Sequence, residues 1–147
     1  MTQAPPAERQ AWMARLAKAS GAALARLMPD LPPHDLLRAP ETGTVMVRGR
    51  IGAVGAAFNL GEMTVTRCAV RLDDGAIGHA WVQGRDKAHA RRAAVIDALM
   101  QTGAAPRIRA EVLTVLEAEA EARRASRAAK AAATKVEFFT MMRGEDA

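Results

Sequence analysis

Arginines at two-residue spacing are the side chains of this sequence best suited to binding an anion. Arg48 and Arg50 fall in one run of strand character, and Arg67 and Arg71 lie four apart in a second. Side chains at even spacing along a strand share a face of the sheet. If both pairs share the same face, they form a basic stripe suited to phosphate, whose oxygens match a guanidinium fork. The alternative is a solvated face, which is ordinary in antiparallel sheets.

Residues for metal binding or independent catalysis do not form a recognisable pattern. His34, His79 and His89 lack the spacing of a multi-ligand metal site, so we expect no metal. Cys68, in the middle of a strand, is expected to be a small buried apolar residue. No nucleophile, base and acid fall into a known arrangement, so catalytic residues are not identified.

The composition indicates one soluble domain of 147 residues with a net charge of +5. That excess favours anionic partners, but the basic segments contain almost no aromatic residues for base stacking, which weakens a nucleic-acid interpretation. A single cysteine, the absence of a signal-like N-terminus and the absence of a membrane-length apolar run predict a cytoplasmic protein.

Periodicity and turn signals predict an α+β fold. A helical stripe over 8–28 is interrupted at Ser20-Gly21, and three strands are expected at 44–51, 62–72 and 76–83. The Asp73-Asp74-Gly75 turn predicts a hairpin, and the glycine-spaced connection 52–61 is either a flexible loop or a bulged continuation of the first strand. Helices are expected over 85–101 and 107–134. The predicted fold therefore consists of N-terminal helices, a three-stranded antiparallel meander, two C-terminal helices and an apolar C-terminal tail.

We divide this single domain into four segments. Residues 1–40 form a helical segment, in which prolines start a short segment at 34–38. Residues 41–84 form the sheet, and residues 85–134 form the C-terminal helices. Beyond Glu117 the last helix has only alanine between charges, which predicts a projecting arm. Residues 135–147 are apolar, and they either dock on a partner or add an edge strand to the sheet.

Several strings of residues resemble one known family. Residues 81–101, from Trp81-Val-Gln-Gly-Arg onward, and residues 136–144, Val-Glu-Phe-Phe-Thr-Met-Met-Arg-Gly, are the longest, and shorter ones lie at 9–17, 41–43 and 69–78. Together they resemble the PhnG family, whose members belong to the bacterial carbon-phosphorus lyase core complex, over nearly the whole chain. Ala53 and Ala57 depart from the family pattern in the connection between the first two strands.

The resemblance implies a subunit of an assembly that uses alkyl phosphonates as a phosphorus source. The PhnG protein and subunits H and I, with an ATPase-like subunit, would release adenine from MgATP and place the phosphonate on ribose C1, giving ribose 1-phosphonate 5-triphosphate. We expect no cofactor on this chain, with MgATP as substrate of the complex. The expected partners are the carbon-phosphorus lyase subunits H, I and J, chiefly I, with neither membrane nor nucleic acid.

The resemblance also suggests two sets of site residues. The candidates for phosphate or nucleotide contact, with subunit packing as the alternative, are Arg50, Arg67, Gln83, Arg85 and Asp86. The candidates for the subunit interface are Trp12, Phe138, Phe139, Met141 and Arg143. Three rival functions remain open: a basic nucleic-acid-binding adaptor, a purely structural assembly protein, and a free-standing enzyme that handles phosphate.

Overall fold

The structure, a computed structural model, describes residues 5–135. Its α+β class, with helices before and after the sheet in sequence, confirms the predicted fold. A short 3-10 turn, Ile51–Ala53, follows the first strand, and a π-helical segment, Arg109–Leu113, lies between the last two helices. The elements in order are α1 Pro6–Lys18, α2 Gly21–Leu27, β1 His34–Arg50, β2 Ala57–Leu72, β3 Ile77–Gln83, α3 Lys87–Leu99, α4 Ala105–Ile108 and α5 Thr114–Ala133.

The sheet is an antiparallel meander in the order β1-β2-β3, as predicted. The turn between β2 and β3 follows from its sequence. The backbone N–H of Leu72 donates to the carbonyl of Ala76 at 2.9 Å, and Gly75 has a φ of +90°. Glycine adopts this left-handed conformation without the steric cost that a Cβ would impose.

The first strand is longer than predicted. β1 begins at His34 and runs through Pro40, within the segment 1–40 that was expected to be helical, so the interpretation of residues 34–40 was wrong. Two register irregularities, between Leu36 and Arg38 and between Arg38 and Glu41, accommodate this stretch. Proline is tolerated there because β1 is an edge strand, whose outward N–H groups need no partner in the sheet.

The connection between β1 and β2 is shorter than its glycine pattern suggests. β2 starts at Ala57, so most of the region 52–61 continues the ladder and only 51–56 turn. A bulge lies between Val47 and Arg48. The structure therefore favours the bulged continuation over a flexible loop.

The two N-terminal helices separate where the sequence predicted a break. Ser20 precedes α2 with extended backbone, and its side chain accepts a hydrogen bond from the N–H of Ala23 at 3.1 Å. A serine in this position satisfies one of the N–H groups that a helix leaves unpaired at its start.

The core lies between α3 and one face of the sheet, with α1 and α2 packed beside it. Gly78 sets the spacing, because an added Cβ would lie 2.6 Å from the backbone nitrogen of Ala98 and closer still to the carbonyl oxygen of Ala94. Only glycine lets β3 and α3 approach so closely. The largest fully buried side chains are Trp12, Leu16, Leu24, Ile96, Ile108, Leu113, Val70, Val82, Val95, Val112, Thr66 and Asp97.

The chain divides into two units after Leu116. In the described part of the second unit, 117–135, the chain is helical to Ala133, and every side chain from Glu121 onward is exposed. An ion pair of 2.6 Å joins Glu121 to Arg124 in this helix. The projection of this arm and the four-segment division stay predictions. No helix among residues 5–135 has the length and hydropathy that a membrane span requires.

Candidate functional site

One row of residues crosses all three strands on the sheet face opposite α3. Glu41 on β1 lies directly across from Arg67 on β2, which in turn lies across from Trp81 on β3. The Arg67 guanidinium carbon is 5.5 Å from the centroid of the Trp81 ring, within the range of a cation–π interaction. Trp81 is 50% exposed, which leaves much of its ring open to solvent.

A carboxylate between two arginines controls the charge of this row. Glu41 accepts hydrogen bonds from the side chains of Arg38 and Arg67. The bond from Arg38 first, and that from Arg67 second, hold the pKa of the Glu41 carboxyl below its ordinary value. Glu41 is therefore ionised at neutral pH and offsets one of the two positive charges. The cluster keeps one net positive charge beside an exposed aromatic ring.

Two shallow clefts meet at Trp81. The first, of about 320 Å³, is lined by Glu41, Arg67 and Trp81 with neighbouring residues of β1 and β2. The second, of about 760 Å³, runs from Trp81 to the junction of α1 and α2, and its lining includes Gln83 and Asp86. Three of the five predicted contact residues thus lie along one continuous stretch of surface. A cation, an aromatic face and concave walls suit a ligand or partner side chain with a planar or anionic group.

The arginine stripe expected along the sheet is divided in the structure. Arg50 pairs across from Ala57 near the end of the β1–β2 hairpin, beyond the bulge, whereas Arg67 lies opposite Glu41. The nine residues from Glu41 to Arg50 along β1 correspond to roughly 30 Å at the strand rise per residue. Arg67 and Arg71 are also already engaged, by Glu41 and by Asp35 at 2.9 Å. The arginines therefore do not form one phosphate-binding surface.

Arg85 and Asp86 lie side by side before α3 with different surroundings. Asp86 is the N-cap of α3, and its carboxylate accepts a hydrogen bond from the N–H of His89 at 2.9 Å. Both this hydrogen bond and the negative charge of Asp86 at the start of the helix stabilise α3. Arg85 is exposed and has no ion pair with any residue in the range 5–135.

The structure removes Trp12 from the interface candidates. Its side chain is 2% exposed and lies in the core, and its indole N–H donates to Asp97 at 2.8 Å. An aromatic residue on an amphipathic helix fits a core and an interface equally well on sequence alone, and here α1 uses it to pack on α3. The other interface candidates, Phe138, Phe139, Met141 and Arg143, lie outside the described residues.

Asp97 is a buried residue that sequence reasoning missed. It is fully buried and accepts hydrogen bonds from Arg9 Nη2 at 2.7 Å, from Trp12 Nε1 and from the backbone N–H of His79 at 2.9 Å. It ties α1, β3 and α3 together. The available signal was a carboxylate between Ile96 and Ala98 on the apolar stripe of a helix, since buried charges are rare unless paired.

His34, His89 and Cys68 have structural surroundings, whereas the side chain of His79 is exposed. His34 lies between the carbonyl of Pro32, which accepts from its Nδ1 at 2.7 Å, and Arg91, which donates to its Nε2 at 2.8 Å. His89 is buried, with Nε2 2.8 Å from the carbonyl of Leu16. Burial raises the pKa of the Cys68 thiol, so the inert interpretation holds. Residues 5–135 contain no group of three or more side chains that could hold a metal ion.

Comparison with known proteins identifies the family. The family model for phosphonate metabolism protein PhnG matches residues 7–144. A curated relative from Rhizobium meliloti (strain 1021), the alpha-D-ribose 1-methylphosphonate 5-triphosphate synthase subunit PhnG, is 48% identical over 146 residues. The alignment covers 95% of this chain and 92% of the relative. The chain belongs to the PhnG family of phosphonate metabolism proteins.

Proposed function

We propose that this chain is a non-autonomous subunit of a ribose 1-methylphosphonate 5-triphosphate synthase in phosphonate catabolism. The observation that carries the proposal is the 48% identity, along almost the full length of both chains, to a protein named as a subunit of that synthase. The family model spans residues 7–144, so the likeness extends over nearly every described element and not over one motif alone.

Two titratable groups, the Glu41 carboxyl and the Cys68 thiol, give no support to independent catalysis by this chain. A general acid working at neutral pH needs a raised carboxyl pKa, and a nucleophilic cysteine needs a lowered thiol pKa. The pKa values of Glu41 and Cys68 shift in the opposite directions. In this proposal the chemistry, transfer of an alkyl phosphonate to ribose C1 of MgATP with release of adenine, belongs to the whole assembly. MgATP is its substrate, and this chain binds no cofactor.

The proposed partners are the carbon-phosphorus lyase subunits H, I and J, chiefly I, in the cytoplasm. The test is to purify those subunits after co-expression with and without this chain. Adenine release from MgATP is then measured with and without methylphosphonate. We expect phosphonate-dependent release only when this chain is present and co-purifies. Full activity of a complex that lacks the chain would refute the proposal.

The rival functions have their own readouts. ATP turnover by the purified chain alone, at the rate of the complex, would identify a free-standing enzyme. Binding to DNA that weakens steeply with salt would identify a nucleic-acid adaptor, because displaced counterions set that slope.

Arg85 is the contact candidate that the assembled complex can test most directly. Its guanidinium is exposed and has no ion pair within residues 5–135, so it is available to a phosphate. A charge-assisted hydrogen bond contributes about 1.5–3 kcal/mol. We expect Arg85→Glu to raise the KM for MgATP by about tenfold or more. The control is Lys87→Glu, which reverses another exposed charge two residues away, and an unchanged KM in both variants would exclude the contact.

A further inference from the structure

The β1–β2 hairpin extends beyond the third strand. The last residue pair between β2 and β3 joins Val65 to Gln83, whereas β1 and β2 stay paired out to Arg50 and Ala57. We call residues 44–63 the outer ribbon. A two-stranded ribbon has only one neighbour for each strand and is weakly stable in water without further packing.

The outer ribbon carries most of the exposed large apolar side chains of the described residues. Phe58 is 40% exposed, Leu60 66% and Met46 55%. The remaining exposed large apolar residues of the described chain lie on β1 near its start or on β3. An apolar surface of this kind marks an interaction site. The five on the ribbon, of nine among the described residues, are Met46, Ile51, Val54, Phe58 and Leu60.

The charges of the ribbon restrict the partner. Arg48 and Arg50 have no ion pair with a residue in the range 5–135, and Glu62 is the only acid among residues 44–63. Arg48 and Arg50 pair across from Asn59 and Ala57 on one face of the ribbon, whereas Phe58 and Leu60 lie on the other face, the face of Gly49. A groove that takes in both faces of the ribbon therefore meets apolar side chains on one wall and two unpaired guanidinium groups on the other. Carboxylates beside that second wall complement them, because unlike charges across an interface direct association and orientation.

The backbone of the ribbon favours a polypeptide over a membrane or a nucleic acid. Within the described residues, the stretch 57–63 of β2 pairs with β1 on one edge and has no strand on the other, in line with the end of β3. Such an edge presents peptide N–H and C=O groups that an incoming strand can pair with. Phe58 is also the only aromatic residue of the ribbon, which gives little for base stacking.

We infer that the outer ribbon docks into an apolar, carboxylate-bordered groove on another subunit of the synthase. This inference rests on the proposed function and adds the surface by which the chain joins the assembly. It locates that surface within the sheet, at residues 44–63.

The inference is tested by the affinity of the purified full-length chain for the complex of the remaining synthase subunits, measured by biolayer interferometry. We expect Phe58→Asp and Leu60→Asp to weaken binding by at least about tenfold, the scale expected for one large apolar side chain. Leu37→Asp is the control, because Leu37 is another exposed apolar residue of the sheet, at 47%, but lies on β1 outside the ribbon. It should bind within about twofold of the unmodified chain, and circular dichroism should show native folding of all three variants.

Reversal of charge gives a second measurement. Arg50→Glu should slow association at low salt, and the difference from the unmodified chain should shrink as salt is raised. An Arg50→Glu variant that associates at the unmodified rate at low salt would contradict the acidic border of the groove.

The outcomes separate the two proposals. If the unmodified chain binds and Leu60→Asp binds equally well, the ribbon inference is wrong and the proposed function stands. If the unmodified chain does not bind, both fail. Leu60→Asp could instead leave subunit binding unchanged and abolish self-association of the lone chain, in which case the partner of the ribbon is a second copy of this chain. If it abolishes binding to anionic vesicles and leaves subunit binding unchanged, the partner is a lipid surface.

Discussion

Removal of the Asp97 carboxylate should destabilise the protein more than any change to a surface ion pair. Asp97 is fully buried, and one of its oxygens is 2.7 Å from Arg9 Nη2. In Asp97→Ala the indole N–H of Trp12 and the backbone N–H of His79 lose their acceptor inside the core. The side chain of Arg9, only 30% exposed, also loses its counter-charge.

The size of this effect follows from the burial. Breaking a buried pair by removal of one partner costs about 3–5 kcal/mol. The free energy of unfolding of a domain is typically about 5–15 kcal/mol, so Asp97→Ala should remove a large share of it. Asp35→Ala is the control, because Asp35 also pairs with an arginine, Arg71, but its side chain is 71% exposed. An exposed pair contributes about 0–1 kcal/mol.

The measurement is urea unfolding of the purified full-length chain, followed by circular dichroism. For a small protein the urea slope is about 1–3 kcal/mol per molar, so Asp97→Ala should lower the midpoint by at least about 1 M. Asp35→Ala should lie close to the unmodified chain. Equal midpoints for the two variants would refute the buried network as the connection between α1, β3 and α3.

Three further predictions concern single side chains. Gly78→Ala should lower the free energy of unfolding by about 1–3 kcal/mol or more, since the added methyl group has no space against α3. Gly61→Ala is the control in the same urea assay and should be near neutral, because a Cβ at Gly61 would have no atom within 4 Å. Glu41→Gln should be less stable than the unmodified chain, and the difference should be fully present above the ordinary glutamate pKa. It should vanish as pH falls through the lowered pKa of folded Glu41. A difference that grows in acid would contradict the assigned ion pairs. Cys68, buried with a raised thiol pKa, should react with a disulfide reagent only after unfolding, and rapid reaction in the native state would contradict its burial.

The site was only partly predictable from the sequence. Arg67, Gln83 and Asp86, three of the predicted contact residues, lie along one stretch of surface with Trp81, but their role in phosphate or nucleotide contact stays a prediction. The pairing of Arg67 with Glu41 was not anticipated, since it joins residues on different strands. The irregular register of β1 brings Glu41 opposite Arg67 and separates the arginines of β1 from those of β2. This register cannot be read from the spacing of side chains in the sequence.

Sequence by itself determined the family, the α+β class, the order of the three strands and the break at Ser20. These depend on long characteristic strings and on local signals such as the Asp-Asp-Gly turn, whose conformation is decided within a few residues. Tertiary structure alone decided that Trp12 belongs to the core and that Asp97 is buried. Both results depend on contacts between α1 and α3, 85 residues apart in the chain. Helical periodicity shows which face of each helix is apolar, but the partner of that face is decided only when distant segments pack together.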